Sequence, residues 1–275
     1  MRSKLFVPGA RPDLFEKALA SEADAISFDL EDSVPLTGKA AARAQLSSFL
    51  ASSAVRQCDK RLIIRINALD TPDARDDLSA FSQTPNCIIN LAKVETSEEV
   101  VTAATLTSAP LLVNIETPRG LRRAAEIGAA HPQVIGLQVG LNDLFAPLGI
   151  DRRNRDHVHA ALWQVRVAAG EAGCFAYDGA WPDIMDEAGF RAEAELAHSL
   201  GFLGKSCIHP RQVPTANAVF DDAEAVGRAE RLIEAADSAA ARGLGAFAFE
   251  GRMIDRPEID RAKATLRAAG RMALR

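Results

Sequence analysis

Hydrophobic residues along this chain fall into short runs that alternate with longer stretches of amphipathic character. Residues 4–8 form a β-prone run that ends at Pro8 and Gly9, and residues 11–23 then carry apolar side chains at helical spacing. The same order recurs down the chain, with further strands predicted at residues 25–28, 61–67, 87–95, 111–116, 136–140, 174–179 and 202–210. The pattern therefore predicts eight strands, each followed by a helix.

Repeated strand-helix units favour an all-parallel sheet, and eight parallel strands are the number that closes a barrel. A length of 275 residues allows either one such barrel or two domains. No low-complexity segment divides the chain, so we predict an α/β fold, a TIM (β/α)8 barrel over residues 1–212. Residues 213–275 are predicted to form a C-terminal helical extension, with a long helical stretch over 214–241, a glycine-rich link and a final helix from Glu258.

Two consecutive strand-plus-loop units carry a single acid, Glu116 in one and Asp143 in the other. An ionised carboxylate beside a buried strand is costly to desolvate unless it is paired or binds a cation. Because the carboxyl ends of barrel strands meet at one rim, where the chemistry of this fold takes place, the two acids indicate a shared hard metal ion. Two carboxylates leave several positions of an octahedral Mg²⁺ shell for water and substrate oxygens, which would make the ion an open Lewis acid.

Arg65 lies at the end of the third predicted strand and is expected at the same rim, where its guanidinium would suit a substrate carboxylate. Two structural alternatives stay open. In the first, Glu116 and Asp143 would pair with Arg65 or Lys93 in a purely structural network. In the second, Arg65 would only neutralise the charge of Glu116 or Glu31. Glu31 and Asp32, which follow the second predicted strand, are candidates for a proton relay or a supporting role, or merely for helix-capping groups.

Composition narrows the class of protein. Lys and Arg number 32 against 37 Asp and Glu, a formal charge of -5, which lacks the basic excess that favours nucleic-acid binding. The four cysteines are widely spaced without a CxxC pair, which indicates isolated thiols in a reducing compartment. The apolar run near the N-terminus stops at Pro8, too early for a signal-peptide core or a membrane span. We therefore expect a cytoplasmic protein without a membrane or nucleic-acid partner.

Nine motifs occur in order across nearly the whole chain: LFVPGARPD, DLEDSV, RIN, KVE, IETPRG, GLNDL, DGAWPDIMDEAGF, GKSCIHPRQ and MIDRP. Together they resemble the citrate lyase beta subunit-like and malyl-CoA lyase branch of the HpcH/HpaI aldolase superfamily. The resemblance implies a TIM barrel that binds Mg²⁺ and assembles as a homo-oligomer, commonly a trimer. It also implies cleavage or formation of a carbon–carbon bond next to an acyl thioester or a carboxylate.

The resemblance assigns roles residue by residue. It implies that Glu116 and Asp143 are the magnesium ligands and that Arg65 binds a substrate oxygen. It implies that Asp255 sits on a C-terminal lid, enters a neighbouring subunit's site and donates or accepts a proton. Three residues match positions that contact the nucleotide in CoA-using members: Phe6, Arg11 and Lys17. For Lys17 the alternative is a position on the solvated face of a helix.

The activity implied is Mg²⁺-dependent retro-Claisen or aldol cleavage of a short hydroxyacyl thioester, such as citramalyl-, malyl- or citryl-CoA, to a keto acid and an acyl-CoA. Asp255 would protonate the enolate carbon. Since no Schiff-base lysine is needed, Lys93 and Lys205 are expected to be ion-pair partners.

Two departures from the family pattern bear on the substrate. Ala92 stands before the lysine of KVE, where the family often has Pro, and the chain lacks the extra elements of longer malyl-CoA lyases. The thioester carrier therefore stays open between CoA, an acyl carrier protein and none. The alternatives to a thioester lyase are a CoA-independent hydroxy keto acid aldolase and a non-catalytic metal- and ligand-binding subunit.

Overall fold

The computed structural model describes residues 1–268, and its main feature is a closed barrel of eight parallel strands in sequence order. The barrel closes where β1 pairs with β8, with Leu5 opposite Cys207. The strands are β1 Ser3–Pro8, β2 Ala25–Asp29, β3 Arg61–Ile66, β4 Cys87–Leu91, β5 Leu111–Ile115, β6 Val134–Val139, β7 Phe175–Ala180 and β8 Lys205–Cys207. The predicted TIM barrel is thus confirmed, and every predicted strand is present.

Helices follow the strands and cover the outside of the barrel. They are α1 Phe15–Leu19, α2 Lys39–Leu50, α3 Ser53–Arg56, α4 Pro72–Phe81, α5 Ser97–Leu106, α6 Pro118–Arg122, α7 Ala124–Gly128, α8 Leu141–Phe145, α9 Arg155–Ala172, α10 Glu187–Ser199 and α11 Val213–Val219. The main hydrophobic core lies between these helices and the outward side chains of the strands, as with Leu162 of α9 and Ile115 of β5. None of the helices described here is long and apolar enough to cross a membrane.

The barrel interior changes from apolar to polar toward the carboxyl ends of the strands. Side chains two residues apart on a strand point to the same face, so each strand contributes a ladder of inward groups. The lower layer is an apolar cluster of Ala25, Ile63, Ile88 and Leu112. Two residues further along these strands stand Ser27, Arg65, Asn90 and Asn114. The sequences of these four strands therefore build an apolar layer beneath a polar upper barrel.

Two predicted strands are shorter than expected. β4 ends at Leu91 rather than at Glu95, and β8 spans only Lys205–Cys207 of the predicted 202–210. In both segments the residues after the strand form a loop. In the loop after β4, Lys93 has a left-handed backbone conformation with φ of 52°. The polar ends of these segments thus belong to loops at the rim. All four cysteines are free thiols.

The chain divides into two compact units, residues 1–220 and residues 221–275. The division falls eight residues after the predicted boundary because α11 packs on the barrel, where Ser3 Oγ donates to Asn217 Oδ1 at 2.6 Å. The helical stretch predicted over 214–241 is confirmed, but it is divided in two, since α11 ends at Val219 and a separate helix, α12, spans Ala223–Ala241.

The second unit has its own small core. Besides α12 it contains an antiparallel hairpin of β9 Phe247–Phe249 and β10 Arg252–Ile254, in the segment predicted to be a glycine-rich link, and the helix α13 Arg256–Ala268. Its core comprises Ala229, Leu232, Ile254, Ala262 and Leu266. The hairpin lies directly before Asp255 and so fixes the start of the final helix, two residues earlier than predicted.

Candidate active site

A cavity of about 310 Å³ opens at the carboxyl ends of the barrel strands. Both predicted metal ligands, Glu116 and Asp143, line it, and so does Arg65. Its wall also includes Phe6, Asp29, Asp32, Asn114 and Gln138. The strands therefore bring the two isolated acids of the sequence together with a cation around one space.

Glu116 follows β5 and is 2% exposed. Its Oε1 accepts the backbone N–H of Lys93 at 2.8 Å, a donor that the left-handed backbone of that residue aims at the carboxylate. Asn114 Nδ2 lies 3.3 and 3.2 Å from the two carboxylate oxygens, and its own Oδ1 accepts from Asn90 Nδ2 at 2.8 Å. These contacts hold Glu116 in one orientation at the cavity wall.

The turn after Glu116 explains part of the IETPRG motif. Thr117 Oγ1 accepts the backbone N–H of Gly120 at 3.0 Å, so it caps α6, and Pro118 occupies the first turn, where its missing N–H costs nothing. A Cβ at Gly120 would stand 2.5 Å from the carbonyl oxygen of Val94. Glycine at that position lets the turn approach the β4 loop that carries Lys93.

The two carboxylates fit a divalent cation. Burial raises the pKa of Glu116 to about 7; Arg65 opposes that rise, and the charges of Glu31 and Asp143 add to it. Among residues 1–268 no group of three or more His, Cys, Asp or Glu side chains forms a metal cage. Two carboxylates and room for water and substrate oxygens are the donor set that Mg²⁺ commonly takes, and a cation between them would offset the repulsion.

The guanidinium of Arg65 is held in place by the carboxylates of Asp29 and Glu31. Its Nε and Nη2 donate to Asp29 Oδ1 and Oδ2 at 2.7 and 2.8 Å, and its Nη1 lies 3.1 Å from Glu31 Oε2. Burial acts to raise the pKa of Asp29, but the charge and hydrogen bonds of Arg65 outweigh it and lower that pKa. The bidentate clamp that the sequence suggested for a substrate is therefore made with Asp29, and Arg65 reaches the cavity from a fixed position.

Glu31 and Asp32 meet on Lys93 rather than on a helix N-terminus. Lys93 Nζ lies 2.5 Å from Glu31 Oε1 and 3.0 Å from Asp32 Oδ1. Burial raises the pKa of Glu31, and Arg65 and Lys93 counteract it. The predicted ion-pair role of Lys93 is confirmed, and only Asp32 of the two acids lines the cavity.

The predicted nucleotide-contacting residues separate. Phe6 lines the cavity, with the guanidinium carbon of Arg65 5.1 Å from its ring centre. Arg11 and Lys17 are exposed and lie outside the cavity lining, and Arg11 pairs with Asp13 through Nη2–Oδ2 at 2.7 Å. Asp255 is exposed and belongs to the second compact unit, between β10 and α13.

Comparison with known proteins identifies the family. The family model described as HpcH/HpaI aldolase/citrate lyase matches residues 2–210. The chain belongs to the HpcH/HpaI aldolase/citrate lyase family. The family predicted from the nine motifs is confirmed, and with it the expectation of a carbon–carbon lyase of that family.

Named members of this family are similar over almost the full chain. A (3S)-malyl-CoA thioesterase of Cereibacter sphaeroides is 38% identical, and the match covers 99% of this chain and 95% of that protein. The citrate lyase subunit beta of Escherichia coli is 36% identical, with 98% and 93% covered. The crystal structure of CitE from Mycobacterium tuberculosis in complex with magnesium, acetoacetate and coenzyme A superposes with a TM-score of 0.76 at 35% identity, covering 98% of this chain and 100% of that one.

The present protein has a second cluster of buried charged side chains beside its cavity. Lys205 is fully buried, and its Nζ donates to Asp178 Oδ2 at 2.6 Å and Glu193 Oε1 at 2.7 Å. Arg152 Nη2 donates to the same Glu193 oxygen at 2.7 Å, and its Nη1 donates to Asn142, the neighbour of Asp143. The predicted ion-pair role of Lys205 is confirmed, and the contact of Arg152 with Asn142 anchors the first turn of α8, the short helix that carries Asp143.

Several polar residues of the upper barrel were missed by the sequence reasoning. Asn90, Asn114 and Gln138 are single amides inside three consecutive apolar strands, and Lys4 occupies the same inward face of β1. An amide or amine at an inward position of a buried strand needs a polar partner. That signal, a single amide or amine inside an otherwise apolar strand, was available in the sequence.

Proposed function

We propose that this protein is a Mg²⁺-dependent carbon–carbon lyase that cleaves a short hydroxyacyl thioester, such as citramalyl-, malyl- or citryl-CoA, into a keto acid and an acyl-CoA. The observation that carries the proposal is that Glu116, Asp143 and Arg65 line one cavity at the barrel rim. Support also comes from a family member crystallised with magnesium, acetoacetate and coenzyme A.

In cleavage the hydroxyl loses its proton and its carbon becomes the keto carbon, while the electrons of the broken bond pass to the thioester half as an enolate. Glu116 and Asp143 would hold the metal, which when bound supplies Lewis-acid stabilisation of negative charge on the substrate oxygens. Arg65, locked by Asp29, presents fixed positive charge to the same oxygens.

Protons are assigned to two places in the chain. Asp32, which lines the cavity, and Glu31 behind it are the acids we assign to the relay that accepts the hydroxyl proton. Asp255 is assigned to proton donation at the enolate carbon, which completes the acyl-CoA. We propose that Asp255 acts from a lid of the C-terminal unit in a homo-oligomer, commonly a trimer, in the cytoplasm.

Nucleotide recognition is assigned to Phe6, Arg11 and Lys17. If the substrate carries CoA, replacing both Arg11 and Lys17 by Ala should raise KM for the thioester, because two exposed cations near anionic phosphates are lost. An aldolase that ignores CoA would show the same KM for a free hydroxy keto acid in both proteins. A non-catalytic subunit would bind a keto acid tightly without turnover.

Thioester hydrolysis is a second candidate, favoured by the 38% identity to a (3S)-malyl-CoA thioesterase. The two reactions differ in their products. A lyase releases a keto acid and keeps the thioester in the acyl-CoA, whereas a thioesterase releases a hydroxy acid and the free thiol of CoA.

The test incubates the purified protein with Mg²⁺ and a panel of hydroxyacyl thioesters and measures keto acid and free thiol separately. We expect keto acid without free thiol, and a fall of about 100-fold or more in kcat for Glu116→Gln. Glu126→Gln is the matched control because Glu126 pairs with Arg123 on the surface. No keto acid from any thioester, or equal activity in Glu116→Gln, would refute the proposal.

A further inference from the structure

Lys4 lies on β1 inside the barrel and is fully buried. Its Nζ donates to Gln138 Oε1 and sits 4.4 Å from the ring centre of Phe6 and 5.5 Å from that of Tyr177. Burial, together with the charge of Arg65, lowers the pKa of Lys4 well below its ordinary value. A lysine in such a place is costly, and neither metal binding nor the assigned proton transfers uses it.

Gln138 is the only group that connects Lys4 to the cavity among the hydrogen bonds of residues 1–268. Gln138 is 4% exposed and is one of the residues that line the cavity, whereas Lys4 is not. Because Lys4 occupies Oε1, we infer that the amide turns its other end, the Nε2–H₂ group, toward the cavity. An ammonium has three donors and no acceptor, so a charged Lys4 requires the oxygen end of the amide, and the neutral amine can still donate to Oε1.

The position of Gln138 tells which part of a substrate it would meet. Gln138 pairs with Asn114 across β5 and β6, and Glu116 lies two residues further toward the rim. Gln138 therefore stands deeper in the barrel than the carboxylate assigned to the metal. A thioester with its carrier must enter from the rim, so the group beyond the metal is the substituent of the keto-acid half.

We propose that Lys4 and Gln138 form a specificity element, in which Gln138 Nε2–H donates to an oxygen of the keto-acid substituent and Lys4 holds the amide in that orientation. The inference rests on the proposed function and names the substrate class of the same site. It favours a keto acid with a second carboxylate over one that carries only a methyl group or a hydrogen, because the buried donor stays unpaired when the substituent lacks an oxygen.

Binding of product keto acids tests this without catalysis. Calorimetry with Mg²⁺ compares oxaloacetate, which has a second carboxylate, with pyruvate, which has a methyl group instead. We expect the wild-type protein to bind oxaloacetate about 10-fold or more tightly than pyruvate, the effect of one hydrogen bond to a charged group.

Three variants and one control separate the element from general damage. Gln138→Glu keeps an acceptor for Lys4 but replaces the donor by a carboxylate, so oxaloacetate should lose its advantage entirely while pyruvate binding changes little. Gln138→Leu and Lys4→Met should reduce the preference to about 1–3-fold. Lys60→Met is the control, since Lys60 Nζ donates to the carbonyls of Ser21 and Ala23 outside the cavity lining, and it should keep the preference.

The outcomes are distinguishable. Mg²⁺-dependent binding of both keto acids with equal affinity, or a preference that survives Gln138→Glu, would overturn this inference and leave the lyase assignment intact. A folded wild-type protein that binds neither keto acid in the presence of Mg²⁺ would overturn both. Melting temperatures of the variants identify any that fail to fold, and Gln138→Glu, which retains a partner for Lys4, then decides.

Discussion

Gly140 lies so close to Glu116 that a Cβ at Gly140 would stand 2.4 Å from both the Cβ and the Oε2 of Glu116. Gly140 follows β6 and its N–H donates to the carbonyl of Ile115 at 3.0 Å, so the backbone there has no freedom to retreat. The glycine is thus what allows the rim of β6 to pack against the carboxylate assigned to the metal.

Gly140→Ala should therefore displace the Glu116 carboxylate and weaken Mg²⁺ binding by about 10-fold or more, since a small misplacement of a ligand is costly. Calorimetric titration with Mg²⁺ measures the change. Gly227→Ala is the control, because a Cβ there meets only Arg231 Nη1 at 3.8 Å. Unchanged Mg²⁺ affinity in Gly140→Ala would mean that Glu116 is not a metal ligand.

Asp29→Asn should destabilise the protein by about 3 kcal/mol at neutral pH, because it removes the bidentate partner of a buried guanidinium. The pKa of Asp29 is lowered from 3.8 in the folded protein, so its contribution is present above that pH and is lost as the pH falls through the folded-state pKa. The difference in unfolding free energy between the two proteins should shrink below pH 3.8. Urea unfolding from pH 7 to pH 3 measures it, and a constant difference would contradict the assignment.

Lys205→Met should destabilise the protein by about 3–5 kcal/mol, because it leaves two buried carboxylates without their shared cation. The double variant Lys205→Met/Asp178→Asn should recover part of the loss, since Glu193 still pairs with Arg152 at 2.7 Å. Thermal and urea unfolding of the three proteins provide the comparison. If the second substitution restores nothing, the cost lies in packing rather than in uncompensated charge.

Asp255→Asn should lower kcat by about 100-fold or more, the effect of a lost general acid, while the affinity for Mg²⁺ and for a keto acid stays within error of wild type. Asp260→Asn on α13 is matched in chemistry, pairs with Arg256 at 3.6 Å and should keep full activity. Turnover and calorimetry on the same preparations separate catalysis from binding. A variant with wild-type kcat would show that Asp255 has no part in proton transfer.

The sequence predicted the barrel because each strand combines a short apolar run with a break, as in residues 4–8 and 111–116, and parallel strands then place Glu116 and Asp143 at one rim. Pairings between side chains that are distant in the sequence could not be predicted in this way. The clamp of Asp29 on Arg65 depends on the register that sets β2 beside β3, which no linear spacing records.

The C-terminal unit was predicted least well. The segment over 242–257 contains several glycines and reads as a link, yet Phe247 and Phe249 belong to a hairpin because Ile254 and α12 offer them an apolar surface. The break between α11 and α12 was missed because the residues around it, Asp221 and Asp222, do not exclude a helix. Tertiary packing decided both.

The residues that line the cavity range from Phe6 on β1 to Ile208 after β8, so the cavity forms only when β1 has paired with β8. Those two strands meet through the pairs Ser3–Lys205, Lys4–Ser206 and Leu5–Cys207, some 200 residues apart in the chain. Such distant pairing is slow to form, because the loop must close before any contact offsets its lost entropy. The time at which keto-acid binding appears during refolding would consequently measure when β1 and β8 pair and close the barrel.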